Sequence, residues 1–455
     1  MDFIIKIFDT IQAPGPTVMM PVIIFILSLC LGVKVKKAVI AGLMIGVGFV
    51  GLNTVIGMMG GELAPAVQAM VGRYGLTLDA IDIGWVPSAA IAFASNIGSI
   101  IIPLGIVVNV VMLLTNTTQT IDVDIWNYWH FAFTGAMIQS LTGSLAMGMV
   151  AAALNMIIVM VIADRTAKGV EKYNGLPGVT FPMGFTAAFA PIAAVVNFIM
   201  DKIPGVKNVN VNMEKLQSKL GVFGEPVLIG TVFGLILGFL AGYKFVTVLQ
   251  LAIALGAALV LIPKMAAILM EGLLPVSDAT QTFIEKRFKN RGKIFVGLDS
   301  AVAIGHPLVM TSAILIMPIS IFIAVILPGN RVLPFADLGV FPHVFVLTIA
   351  ITRGDFIRSF IVGIVSTIIM LYCGTSMVPL LMSTAAVADP ATYANYGSAF
   401  SSICDGSNPL TWAMIQFANL KWIGIAIMAV ISVGLAYWNR VMIKKQTLSE
   451  AAAAE

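Results

Sequence analysis

Charge is scarce in this chain of 455 residues: 11% are Asp, Glu, Lys or Arg, against 59% apolar. A water-soluble fold of this size cannot cover its surface with so few charges, which excludes a soluble enzyme. Cysteine is nearly absent. Cys30, Cys373 and Cys404 are odd in number and lie in or beside apolar stretches, so they build neither a disulfide framework nor a metal-binding spacing and read as small hydrophobes. Only three histidines occur, with no Glu or His at metal-ligand spacing beside them, so no zinc or other metal site is expected. The run Gly46–Gly51 fits G-x-G-x-x-G, but it lies inside an apolar span with no preceding strand. It reads as helix packing, as do Gly234, Gly238 and Gly242, and no cofactor is expected. No large excess of one sign exists either. The net charge of +4 reflects loop bias, and nucleic acid is dropped as a partner.

What the chain does have is apolar runs, which leave no room for a soluble domain, so residues 1–455 read as a single all-α, polytopic membrane domain in a lipid bilayer. Segments long enough to cross run near 16–32, 38–59, 97–115, 125–141, 144–163, 226–243, 246–270, 308–327, 338–352, 357–373 and 422–438, about 11 transmembrane helices. With the N-terminus outside, 20 of the 26 basic residues fall in inner loops or the tail, which fixes the C-terminus in the cytoplasm. Segment 179–200 is apolar but flanked by basic residues on both sides and reads as re-entrant. Segments 82–96, 297–307 and 398–416 mix Gly, Pro, Ser and Asn with apolar residues and suit hairpins buried in protein.

The halves show self-similarity at a shift of 210–215 residues. Gly32 and Lys34 match Gly242 and Lys244; Pro103 matches Pro318; Asp124 with His130 matches Asp337 with His343. Five crossings per half is odd, so the second copy enters from the opposite face, giving two inverted repeats. The expected organisation is 14–200 as the first repeat, 201–225 as a cytoplasmic linker, 226–416 as the second repeat, 422–438 as a final transmembrane helix and 439–455 as a cytoplasmic tail. Inverted repeats with broken helices build alternating-access transporters, with substrate near the midplane.

Ionisable side chains inside spans face the protein interior or an aqueous path. His130, His306 and His343 all lie in spans or hairpins, and two of them are related by the repeat. Asp82 and Asp299 open corresponding hairpins, and Asp405 and Asn408 lie in the last one. A carboxylate can accept two sugar hydroxyls at once, although Asp also caps nearby backbone N–H groups. Asn53, Asn127, Gln139 and Gln416 suit an uncharged polyol, and Trp85 and Trp412 can stack on its carbon face.

Over nearly its full length the sequence resembles the galactitol-type IIC components of the bacterial phosphoenolpyruvate-dependent phosphotransferase system, within the ascorbate–galactitol superfamily. The stretches that carry this are GPTVMMPVIIF, AGLMIGVGFVGL, IDVDIWNYWHFAFTGA, KIPGV followed by GVFGEPV, VGLDSAVAIGH, PGNRVLPFADL and GSNPLTW. Met183 in FPMGF departs from the histidine that family members carry there, which leaves the polyol's identity open. The resemblance implies an inner-membrane permease, multi-pass and homodimeric, with an elevator-type fold. It implies uptake of a sugar alcohol, galactitol first, and its phosphorylation by a separate IIB protein charged through IIA. No catalytic residue is assigned to this chain, since the phosphoryl donor residue resides on IIB, and the basic loop 286–293 offers a IIB docking surface that positive-inside bias explains equally well. The implied substrate-binding residues are Asp299, His343, His130 and Trp85, then Asp82, His306 and Asn408. An ion-coupled secondary transporter of a small polar solute is the alternative, since inverted repeats and buried Asp and His serve it as well.

Overall fold

The computed structural model describes residues 16–75, 78–204, 226–287, 293–334, 336–388, 390, 393 and 399–454. The N-terminus, most of the 201–225 linker and most of the 286–293 loop lie outside them, and so do the expectations placed there. The chain is mostly helical, at 79%. Among the described residues, five helices are long and apolar enough to cross a membrane: Leu145–Asn174, Gly184–Lys202, Pro307–Ile326, Phe356–Ala388 and Lys421–Ser449. A sixth is the pair Trp85–Ala94 and Gly98–Leu114 if its 77° bend is taken as one broken span. Each of the eleven apolar segments marked as a crossing falls largely in helix. Segment 179–200, expected to be re-entrant, forms a strand and then helix broken at Phe189, and its helical part is long enough to cross. Large apolar side chains face outward on several helices, among them Phe239, Ile253, Ile423 and Val430. Such a surface suits hydrocarbon rather than water.

Four helices form one packed unit: α1 (Pro16–Cys30), α2 (Val35–Tyr74), α9 (Pro226–Leu240) and α10 (Phe245–Arg287). Glycine lets them close on one another. A Cβ at Gly234 would stand 2.5 Å from the Ala252 Cα, and one at Gly272 would stand 2.8 Å from the Ala41 carbonyl oxygen. Gly242 has a different part from the packing glycines beside it. It has φ of +73° and ends α9, as Gly32 with φ of +83° ends α1. At both, the next N–H donates to the carbonyl five residues back, Val33 to Ser28 at 2.9 Å and Tyr243 to Gly238 at 3.1 Å. This is the left-handed cap that only glycine forms without a steric cost.

Among the described residues, the other α-helices are α3 (Trp85–Ala94), α4 (Ile101–Leu114), α5 (Trp129–Thr142), α6 (Leu145–Gly169), α7 (Gly184–Ala188), α8 (Ala190–Lys202), α11 (Ala301–Ile304), α12 (Pro307–Ile326), α13 (Phe341–Ile351), α14 (Phe356–Ala388), α15 (Pro409–Ala418) and α16 (Lys421–Ala454). The last runs straight through the expected tail. Six short strands, β1 (Ala80–Asp82), β2 (Thr120–Asp122), β3 (Val179–Thr180), β4 (Phe295–Gly297), β5 (Val332–Leu333) and β6 (Phe400–Ser401), form two parallel sheets ordered β5-β1-β6 and β2-β4-β3. In each, the central strand comes from one half of the sequence and its two neighbours from the other. Registers pair Ile81 with Leu333 and Phe400, and Val296 with Ile121 and Val179. The sheets are buried, so their backbone groups must be met inside the protein. Asn109 does this at the β2 edge, donating to the Thr120 carbonyl at 3.0 Å and accepting the Asp122 N–H at 3.1 Å. At the mouth of the first sheet Arg331 grips the Asp79 carboxylate through two nitrogens, at 3.0 and 2.6 Å, and holds that carboxyl below its usual range.

Candidate functional site

Both sheets deliver acidic residues to one buried region at the ends of their strands. Asp124 opens the turn before α5, where His130 is the second helical residue; Asp337 opens the turn before α13, which carries His343. His130 is buried and its Nδ1 lies 2.5 Å from Asp405 Oδ2. Asp405 reaches it from the turn after β6, and its other oxygen accepts the Asn408 amide at 2.9 Å. Asn408 in turn caps α15, accepting the N–H groups of Leu410 at 2.9 Å and Thr411 at 3.1 Å, and donates to the Gly184 carbonyl at 3.2 Å. The Trp129 ring lies beside that of His130, 4.0 Å between centroids.

His343 is anchored differently. Its Nδ1 lies 2.7 Å from the Ser300 hydroxyl, which is also 2.7 Å from Thr186 Oγ1 and 3.0 Å from the Met183 sulfur. Met183 thus sits in contact with the His343 anchor. Asp299, next to Ser300 and half-buried, accepts the Ala301 N–H at 2.8 Å and lies within electrostatic reach of both His343 and Asp124. His343 is likewise within reach of His130. Asp122 and Tyr128 adjoin Asp124.

The seven sequence-predicted residues therefore divide. His130, His343, Asp299 and Asn408 come together. Asp82 ties the backbone instead: its oxygens accept the N–H groups of Gly84, Ile403 and Asp337, each at 3.1 Å, joining β1 to the β6 turn and to the turn before α13. Trp85 is half-buried at the start of α3, with its backbone N–H on Asp337. His306 caps α12 by accepting the Leu308 N–H at 3.3 Å and bonds none of the other six. Ser300, Thr186 and Asp122 were not among the candidates. Hydroxyls are too common in such a chain to stand out, and Asp122 was overlooked although it lies two residues before the repeat-matched Asp124.

Several buried polar atoms in this region carry no hydrogen-bond partner among the described residues: His130 Nε2, Asp122 Oδ2, Asp124 Oδ1, Asp337 Oδ2 and the Tyr128 hydroxyl. Such groups are costly unless they serve a ligand or water. The tertiary structure also brings His130, Cys404 and Asp405 together with ligand atoms within 4.8 Å of one another, which sequence spacing did not foresee. The direct bond between His130 and Asp405 occupies the nitrogen and oxygen that face each other there. What the region offers is a set of neutral and acidic hydrogen-bonding groups, suited to a polyhydroxylated solute.

The approach of α7 to His130 depends on glycine. A Cβ at Gly184 would stand 2.6 Å from the His130 Cβ, nearer than such atoms come, and neither can rotate away. Gly184→Ala is expected to cost about 1–3 kcal/mol by overpacking and to shift His130, read as a lower unfolding temperature together with weaker polyol binding. Unchanged values for both would refute the contact.

The family model for the sugar-specific permease component of the phosphotransferase system (EIIC-GAT) matches residues 10–400. The galactitol-specific EIIC component of Escherichia coli K12 is 39% identical over 402 residues, 88% of each chain, and the same component from Escherichia coli O157:H7 matches equally. A protein of the K12 strain named as a permease IIC component, with no substrate in its name, is 37% identical over 97% of this chain and 100% of its own. On a family match over residues 10–400 and 39% identity over 88% of the chain, the chain belongs to the EIIC-GAT family of sugar-specific permease components of the phosphotransferase system.

Proposed function

We propose that this chain binds a sugar alcohol, galactitol first, at the His130–His343–Asp299 cluster and carries it across the bacterial inner membrane for phosphorylation by a IIB partner. The carrying observation is the buried cluster itself, in which His130 and Asp124 of the first half, each with an unpaired polar atom, lie within electrostatic reach of His343 and Asp299 of the second. Asp299, His343 and His130 hydrogen-bond the hydroxyls, with Asn408 and Asp405 holding His130 in place. Asp299 or a histidine orients the hydroxyl that takes the phosphoryl group. A cavity of about 280 Å³ lined by neutral groups, among them Asn96, Gln139, Ser140 and Thr384, lies beside the C-terminal end of α5. It suits the approach of an uncharged solute from outside.

The reading includes two inverted repeats within 11 crossings, the N-terminus outside, and a homodimer in which α1, α2, α9 and α10 stay fixed while the remainder slides as an elevator. The matching caps at Gly32 and Gly242, the matching turns at Asp124 and Asp337, and the reciprocal strand order of the two sheets support the repeats. Basic residues gathered in the loops assigned inside support the orientation. Calorimetric titration is expected to rank galactitol above arabitol, sorbitol and ascorbate. Uptake into vesicles is expected to need IIA, IIB and phosphoenolpyruvate and to deliver a phosphorylated product. Uptake of the free polyol on a proton or sodium gradient alone would overturn the reading in favour of a secondary transporter.

A further inference from the structure

We propose that Met183 and Ser300 are positioning residues that hold the proton of His343 on Nδ1, so that its Nε2 faces the polyol as an acceptor for the hydroxyl that takes the phosphoryl group; this rests on the permease reading above. The two repeat-related histidines carry unlike anchors. His130 has the Asp405 carboxylate on its Nδ1, and an ionised carboxylate only accepts. His343 has a hydroxyl there, and a hydroxyl gives or takes. The other contacts around Ser300 decide which.

The Ser300 oxygen is buried among three close neighbours: His343 Nδ1 and Thr186 Oγ1, each at 2.7 Å, and Met183 Sδ at 3.0 Å. A hydroxyl brings one proton and two lone pairs, whereas a thioether brings no proton at all. Oxygen and sulfur at 3.0 Å with no hydrogen between them would oppose lone pair to lone pair, so the Ser300 proton points at Met183. Thr186 fills one Ser300 lone pair with its own proton, since its distance to the sulfur is longer, 3.5 Å. The lone pair that remains faces His343, which must bring the proton on Nδ1. Reversing that bond, with Ser300 donating to the ring, leaves the 3.0 Å contact empty. Moving the Thr186 proton onto the sulfur changes nothing for the ring, because Ser300 then donates to Thr186 and still accepts from Nδ1.

Met183 is the residue before α7 and Thr186 lies within that helix; Ser300 stands before α11, and His343 is on α13. A buried sulfur from the first half of the chain thus fixes a proton on a ring of the second. The Nε2 of that ring is left bare, bonds no described residue and belongs to a side chain that is only partly buried. In the transfer, the polyol O–H gives its proton to Nε2 as its oxygen bonds to the phosphorus carried by phosphorylated IIB. The bond from phosphorus to the IIB residue breaks, and its electron pair leaves with that residue. A ring protonated on Nε2 instead still hydrogen-bonds the hydroxyl but has no lone pair to take its proton.

The test uses the full chain in phosphatidylcholine nanodiscs, isotopically labelled at the histidine nitrogens, with His343 assigned by magnetic resonance from the signals lost in His343→Gln. Without polyol, His343 is expected to carry a proton on Nδ1 and none on Nε2. Met183→Leu keeps the volume and removes the acceptor, so the Ser300 proton turns to the ring and the His343 proton is expected on Nε2. Uptake driven by IIB at saturating galactitol is then expected to fall about tenfold, in step with the share of rings left in the competent form. Galactitol affinity is expected to stay within about twofold, because a hydroxyl accepts from Nε2–H as readily as it donates to Nε2. Ser300→Ala, which removes the relay itself, is expected to give a mixture of both tautomers. A proton on Nε2 or on both nitrogens in the unaltered protein, or a tautomer unmoved by either substitution, would overturn the proposal. So would slower uptake in Met183→Leu with the tautomer unmoved, which would make Met183 a packing residue only. Failure of galactitol to bind, with the tautomer shift still seen, would sink the polyol reading and leave the Met183–Ser300 relay standing.

Discussion

Asp405→Ala is expected to abolish polyol binding and to destabilise the protein by roughly 1–3 kcal/mol, the cost of leaving buried hydrogen-bonding groups without their partner. The reason is that Asp405 serves two groups at once. One oxygen meets His130 Nδ1 and the other accepts the Asn408 amide. Alanine would strand both donors in a region closed to water, where an unmet donor loses its full solvation. Asp405→Asn keeps the shape and is expected to fold, with binding weakened because a neutral amide no longer fixes the imidazole's proton on Nδ1. A double-mutant cycle with His130→Ala separates the pair from its surroundings: the combined variant is expected to lose less than the sum of the single losses. Additive losses, or galactitol titrations unchanged in Asp405→Ala, would remove the pair from the site.

The second large effect is expected far from the histidines. Asp164→Ala should destabilise the protein by about 3 kcal/mol and loosen the β2-β4-β3 sheet. Asp164 is the junction of three elements: it sits in α6, accepts the N–H of Gln119 and the hydroxyl of Thr120 at the start of β2, and accepts the Asn439 amide of α16. Asn439 itself also donates to the Thr117 carbonyl at 2.9 Å. Burying a carboxylate is unfavourable in itself, so Asp164→Asn is expected to recover part of the loss: its one oxygen still accepts the Asn439 amide, while its NH2 can only donate and must turn to the Thr120 hydroxyl as acceptor. Hydrogen exchange of the β2 and β4 amides together with thermal unfolding in detergent would measure both. Protection unchanged in Asp164→Ala would show that the strands hold without the junction.

Much of the architecture could be read from the chain before any coordinates. Scarcity of charge excluded a soluble fold because there is no other way to hydrate such a surface. Hydropathy marked the helices because, in hydrocarbon, every backbone group must be met within its own segment, so length and composition are local properties. Gly32 and Gly242 were legible as repeat partners, but the spacing of Gly242 pointed to helix packing, and only the backbone showed the left-handed cap that both form. The family followed from long ordered stretches rather than from any short pattern.

The site was legible only in its residue types. His130, His343 and Asp299 stood out because an ionisable group inside a span needs a reason. Asp405 stood out too, but not as the partner of His130, for the two lie 275 residues apart. The fate of Asp82 was equally hidden. A carboxylate at a hairpin start can bind a ligand or a backbone, and the choice fell to the two distant N–H groups of Asp337 and Ile403, which only the folded chain brings to it. The six strands escaped notice for the same cause: at two or three residues each they have no alternation to detect. The sequence by itself determined the solvent and the helices, because those depend on neighbours within a few residues. Only the tertiary structure decided which strands pair and which carboxylate meets which histidine, because those contacts join segments a hundred residues or more apart and form only when both halves have packed.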